Sequence, residues 1–175
     1  MVSGDISRIR HQVLTLSGDD TRWRETEQTL EHPALQALLD YYEALRPAPD
    51  ALPPIGAFRA MDLPEHLPYV ALIALNHEGR TGLAGHYYRV FGSALTRLMD
   101  MELTGLSMAD VHSAFPERTQ RSYAMHCHVA ERARPMRITG PQKGTAKDFI
   151  RVEALLLPFA EDGKTADHLI TELRF

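Results

Sequence analysis

The chain has 175 residues, a single cysteine and a formal net charge of −4. That length buries a sizeable core without disulfides or metals, so one domain is expected, and the acidic balance argues against nucleic-acid binding, which needs a basic surface to displace counterions from phosphates. Asp5, Arg8, Arg10 and His11 interrupt any signal-peptide run, and no apolar stretch approaches the ~20 residues that span a bilayer, so a cytoplasmic protein with no membrane partner is expected. Residues 1–20 are polar and weakly patterned and read as a tail or loosely packed lead-in. Residues 21–32, with Trp23, read as a short helix. Pro33 suits the first position of a helix, where its missing N–H has no partner to lose. Leu35, Leu38, Leu39, Tyr42 and Leu45 follow at helical spacing and form one apolar stripe. That stripe must pack on the core or on a second copy of itself, which makes these five residues the candidate dimer interface.

Six prolines between residues 46 and 68 (Pro47, Pro49, Pro53, Pro54, Pro64 and Pro68) make this stretch a connector. Residues 69–75 read as a buried strand, 76–84 as a turn with two glycines, and 85–91 as the returning strand of a hairpin. A helix is expected over 94–101, with a shorter one starting near Ser107. Pro116 opens a longer helix that runs to Ala133. Strands are expected over 134–139, 148–158 and 166–175, with Asp162-Gly163 as the turn pair between the last two. The order is helices, two strands, helices, three strands. Two segments follow from it: 1–45, a tail with accessory or dimerisation helices, and 46–175, the main domain.

Leu45-Arg46-Pro47, Leu63–Pro68, the run His86–Leu95, Leu103-Thr104-Gly105, and Leu155–Phe159 with Asp162-Gly163, taken with that order, resemble the small alphaproteobacterial PAS family called PAS_5. Leu45-Arg46-Pro47 ends the first amphipathic helix. Phe58 leads to Leu63-Pro64-Glu65-His66-Leu67-Pro68, similar to the family's "LP..LP" lead into the first strand. The run from His86 to Leu95 (HYYRVFGSAL) is similar to "FRYRLVGTAL", and Leu103-Thr104-Gly105 to "DLTG". Leu155-Leu156-Leu157-Pro158-Phe159 with Asp162-Gly163 is similar to "LLLPL…DG". The chain departs from the pattern at Arg59-Ala60, at Ser93, and at His86, where an apolar aromatic is expected. The resemblance covers roughly residues 33–175. It implies an α+β fold: a PAS-like five-stranded antiparallel sheet with helices on one face and N-terminal accessory helices. It also implies a bacterial sensor or regulator in signal transduction, with ligands held between the sheet and those helices.

Alternation in the second strand puts His86, Tyr88 and Val90 on one face, and the resemblance points that face inward. On the helix 116–133, at about 100° per residue, Tyr123, Met125, Cys127, Val129, Ala130 and Ala133 form an apolar arc with His126 near its middle. His128 falls opposite, with Arg121 and Arg132. Residues two apart do not share a helix face, so His126-Cys127-His128 is no metal site, and no metal is expected. Cys127 reads as a structural thiol. The candidate ligand pocket is therefore His86, Tyr88, Val90, Tyr123, His126, Cys127 and Ala130. His126 is either a core histidine satisfied by a carbonyl or hydroxyl or a contact to a small organic ligand or a haem, whose axial histidine comes from this helix in some PAS sensors.

The leading expectation is a non-catalytic sensor or interaction module with no resident cofactor, acting as a homodimer or through a signalling protein partner. One alternative is a purely structural dimerisation protein with a filled core. Another is a cone-shaped α+β enzyme of the ketosteroid-isomerase type, whose base would be a buried strand carboxylate. Glu153 and Asp148 are the strand carboxylates available, and Glu153 is out of phase with Ile150, Val152, Ala154 and Leu156.

Overall fold

Alternating apolar residues on the last strands build the centre of the molecule. In the computed structural model, which describes residues 12–19, 22–141 and 150–175, strand β1 spans Gln12–Asp19, β2 Arg22–Thr29, β3 Val70–Ala74 and β4 Tyr87–Phe91. Strands β5 (Met136–Pro141), β6 (Arg151–Phe159) and β7 (His168–Arg174) complete one sheet in the order β2-β1-β5-β6-β7-β3-β4. Helices are α1 (Pro33–Leu45), α2 (Gly82–Gly85), α3 (Ser93–Met99), α4 (Met108–His112) and α5 (Pro116–Arg132).

The five strands β5-β6-β7-β3-β4 pair antiparallel throughout, as the sequence leads one to expect. The sheet nevertheless has seven strands, not five. The residues read as a lead-in and a helix form a hairpin, paired from Gln12↔Thr29 to Asp19↔Arg22. Its first strand joins β5 in parallel, with Leu14 opposite Met136 and Leu16 opposite Ile138. The Glu, Gln and Arg content of β2 favours a helix, but pairing with β1 overrides that preference. Val13, Leu14 and Thr15 of β1 are buried, whereas Arg24, Thr26, Glu27 and Gln28 of β2 are exposed. The described residues between 12 and 45 thus share a sheet and a core with the described part of 46–175.

Both faces of the sheet are covered. Leu155, Leu157 and Phe159 of β6 point to one side and join Val13, Leu30, Val70 and Ile170 beneath α1. Leu35, Leu38, Leu39 and Tyr42 of α1 are buried there, and the Tyr42 hydroxyl donates to the Pro158 carbonyl at 2.7 Å. Leu45 packs at the margin of the same cluster. The stripe read as a candidate dimer interface is spent on the chain's own sheet, because the apolar outer face needs a cover. Pro33 does occupy the first turn, and the His32 side chain caps it by accepting from Ala34 N–H at 3.2 Å.

On the other face, Ile73, Tyr88, Phe91, Leu156 and Leu169 meet Leu95 of α3, Met108 and Val111 of α4, and Val129 of α5. The proline-rich connector makes three short 3-10 turns and passes close to the start of α3. Gly92 N–H donates to the Val70 carbonyl at 2.9 Å, and a Cβ on Gly92 would collide with the Pro68 and Leu67 carbonyl oxygens. Backbone cannot retreat as a flexible side chain does. Gly92→Ala is therefore expected to lose about 1–3 kcal/mol in urea unfolding, the range for overpacking; an unchanged midpoint would refute this.

Candidate functional site

The inner sheet face and α5 do not close on each other. Between them lies a cavity of about 850 Å³. Its floor is Ala71 and Ile73 of β3, Tyr88 and Phe91 of β4, Ala154 and Leu156 of β6, and Thr171 and Leu173 of β7. Its roof is the α5 face carrying Arg118, Arg121, Ser122, Met125 and His126, with Leu95 and Met99 of α3 at the side. Small Ala71 and Ala154 side chains leave the space that larger residues would fill.

A β-bulge shapes the floor. Opposite Ile73 and Leu72 the β4 partners are Tyr88 and Val90, so Arg89 is an extra residue. The bulge re-phases the strand and turns Tyr88 and Phe91 both inward. Val90, expected inside by simple alternation, is 45% exposed.

Of the other expected pocket residues, Tyr88 and His126 line the cavity. His86 stands behind His126, its ring stacked at 5.7 Å and 9°. Tyr123 sets its ring edge-on to His86 at 4.7 Å. Tyr123 and Cys127 share a side-chain hydrogen bond one turn apart, and burial pushes the Cys127 thiol up. Ala130 packs into the inner core. His86, Tyr123, Cys127 and Ala130 thus form a layer beside the cavity and are not among its lining residues.

His126 and His86 are both buried, at 5% and 6% exposure. Burial, reinforced by the neighbouring His86, pushes the His126 pKa down to about 3. Burial also lowers that of His86, against the opposing effect of the Gly82 carbonyl 3.2 Å from Nδ1. Both imidazoles are therefore neutral near pH 7. Among the described residues, His126 Nδ1 has no hydrogen-bond partner, and neither has Thr171 Oγ1 on the floor. Unpaired buried polar atoms are rare and call for a partner. A neutral imidazole of this kind can hydrogen-bond an organic ligand or coordinate a haem iron.

His128 and Arg132 do face away from the cavity, and both reach Glu25, whereas Arg121, read on the same side, lines the cavity. Glu25 of β2 accepts from Arg132 Nε at 2.8 Å and lies 2.6 Å from His128 Nε2. Burial would raise the Glu25 pKa; these two partners outweigh it and hold the carboxyl below its usual range. His126, Cys127 and His128 accordingly point three ways.

The strand carboxylate weighed as a catalytic base has another role. Glu153 lies on the α1 side of the sheet, accepting from Glu31 N–H at 2.9 Å, His32 N–H at 2.8 Å and Arg137 Nε at 2.6 Å. Burial acts to raise its pKa, yet Arg137 and the two backbone donors prevail and keep it low. Asp148, the other candidate, and Lys143 lie outside the described residues. The one carboxylate among the described lining residues is Glu117, exposed on the first turn of α5.

Two lining residues escape a sequence reading centred on histidines. Thr171 alternates with Leu169 and Leu173 and is the polar member of that inward face. Arg118 precedes His126 by eight residues, which places it within about 80° of His126 on the helix. The strand alternation points to Thr171, whereas the helix angle alone leaves Arg118 readable as a surface residue.

A family model described as PAS domain, PAS_5, matches residues 30–173. A search of curated proteins gave no match. No helix among the described residues is long and apolar enough to cross a membrane.

Proposed function

The chain belongs to the PAS_5 family of PAS domains, and from that premise we propose that it is a cytoplasmic ligand-binding regulator whose sensory site is the cavity beneath α5. The observation that carries this reading is the ~850 Å³ space, within the usual ~300–1,000 Å³ of ligand sites, with a largely apolar floor, a polar roof and two unsatisfied buried polar atoms among its lining residues. A filled structural core would leave no such space. The role is non-catalytic: the buried strand carboxylate Glu153 is neutralised on the opposite face of the sheet, and Glu117 is a solvated surface acid. Occupancy passes to a signalling partner or a second copy by contact, through surfaces other than the buried stripe of α1.

The test is mass spectrometry of a denatured extract of the purified protein, with its visible spectrum recorded beforehand. A bound small organic molecule is expected, with no visible colour. Ala154→Trp, which fills the cavity from its floor, is expected to abolish retention while the fold persists by circular dichroism. A haem or flavin spectrum would replace the organic ligand with that cofactor. An empty extract, together with no binding of apolar probes to the wild-type protein, would sink the reading.

A further inference from the structure

We infer that the cavity takes an amphipathic acid, an apolar body bearing a single carboxylate that pairs with the Arg118 guanidinium. This rests on the cavity being a ligand site, as proposed above. Arg118 is half-buried on the first turn of α5 and lines the cavity. Its contacts are soft ones: the Met99 and Met101 sulfurs at 4.0 and 3.9 Å, and the face of the Phe115 ring at 4.2 Å from its centroid. Among the described residues no carboxylate pairs with it. The contrast with other arginines is sharp. Arg137 reaches three side-chain oxygens, on Glu153, Gln28 and Glu31. Arg132 engages both oxygens of Glu25, and Arg174 bonds to Glu172 while lying over the Tyr69 ring.

The guanidinium is a planar fork that fits a carboxylate with two parallel bonds. At Arg118 the fork is held in place by thioethers and an aromatic ring, with no carboxylate partner among the described residues. Burial lowers its pKa, a desolvation cost that an arriving anion offsets. Beyond Arg118 the floor and side are largely apolar, with Ile73, Phe91, Leu95 and Leu156 prominent, while α5 adds the polar groups of Gln120, Arg121 and Ser122. The inner polar groups His126 and Thr171 are neutral, so they suit a hydroxyl or carbonyl on the ligand body and not a second charge. A cationic ligand would meet a guanidinium that no described carboxylate compensates.

Isothermal titration calorimetry of the full chain, stripped of bound molecules on a hydrophobic resin, distinguishes these ideas. The probes are decanoic acid, decanol and decylamine, with 1-naphthoic acid and 1-naphthalenemethanol as a second acid–alcohol pair. Each acid is expected to bind about tenfold or more tighter than its alcohol, as befits a charge-assisted hydrogen bond, with the amine weakest. Arg118→Gln is expected to erase the acid preference, bringing the affinity for each acid down to that for its alcohol. Arg118→Lys keeps the charge but loses the fork, and is expected to retain only part of the preference. Equal binding of acid and alcohol to the wild type, or a preference that survives in R118Q, overturns the carboxylate assignment and leaves the ligand site standing. No binding by any probe, or binding undiminished in A154W, overturns the ligand site as well.

Discussion

Arg137→Met is expected to cost about 3–5 kcal/mol of folding stability, the range for removing one partner of a buried ion pair. Arg137 is 1% exposed, and its guanidinium reaches Glu153 at 2.6 Å, Glu31 at 2.7 Å and Gln28 at 2.8 Å. It therefore joins β5 to β6, to β2 and to the residue pair that precedes α1. Methionine fills much of the same volume but leaves the Glu153 carboxylate in a low-dielectric site with only two backbone donors. Those donors, Glu31 and His32 N–H, open the helix that covers the outer face, so the damage extends to α1. Replacing both ions by apolar residues, in R137M/E153L, is expected to recover more than half of the loss, since the desolvation of the pair is itself costly. Urea unfolding of the two single variants, the double variant and the wild type gives the coupling. A loss below about 1 kcal/mol in R137M would show that the cluster is incidental.

The second large effect is on acid stability. The His126 pKa is pushed down to about 3 in the folded chain, against about 6.5 in an unfolded one. Below pH 6.5 the unfolded state binds a proton that the folded state refuses. The stability due to this group is thus complete above about pH 6.5 and is lost as the pH falls towards 3. Between pH 7 and pH 5 the loss from His126 is about 2 kcal/mol, from 1.36 kcal/mol per pKa unit. His126→Leu keeps an apolar side chain of similar bulk and has no proton to bind. Its unfolding free energy is expected to fall less than the wild type's over that range, by about that amount. Glu25 and Glu153, whose pKa values are lowered, lose stability in acid too, but they do so in both proteins and cancel in the difference. Parallel curves for wild type and H126L would mean that His126 is protonated without penalty, and would remove it from the buried wall of the cavity.

How much of this was legible without coordinates depends on the kind of signal. The long helices were open to reading because each announces itself twice, by proline at the first turn and by a periodic apolar face: Pro33 with Leu35–Leu45, Pro116 with Val129. The five inner strands were legible from alternation and from the Asp162-Gly163 turn. The β1–β2 hairpin was not, because its outer strand carries residues such as Glu25 and Gln28 whose intrinsic preference is helical, and only pairing reveals otherwise. The bulge at Arg89 was hidden for a different reason. One added residue leaves no mark in the composition, yet it reverses the fate of Val90. In the cavity, Tyr88 and His126 were within reach of helical and strand periodicity. Arg118 does not stand out, since an arginine on a helix reads as surface until its neighbours, which among the described residues include no paired carboxylate, are seen.

The position of the hairpin has a consequence for how the molecule behaves in a crowd. Without β1 and β2, the sheet would end at β5 with a row of free backbone donors and acceptors, a template on which other chains can add strands. Covering β5 moves that rim outward to β2, where Arg24, Thr26, Glu27 and Gln28 stand exposed. Charged rims resist stacking of one chain on the next. The hairpin thereby acts as a guard against self-aggregation.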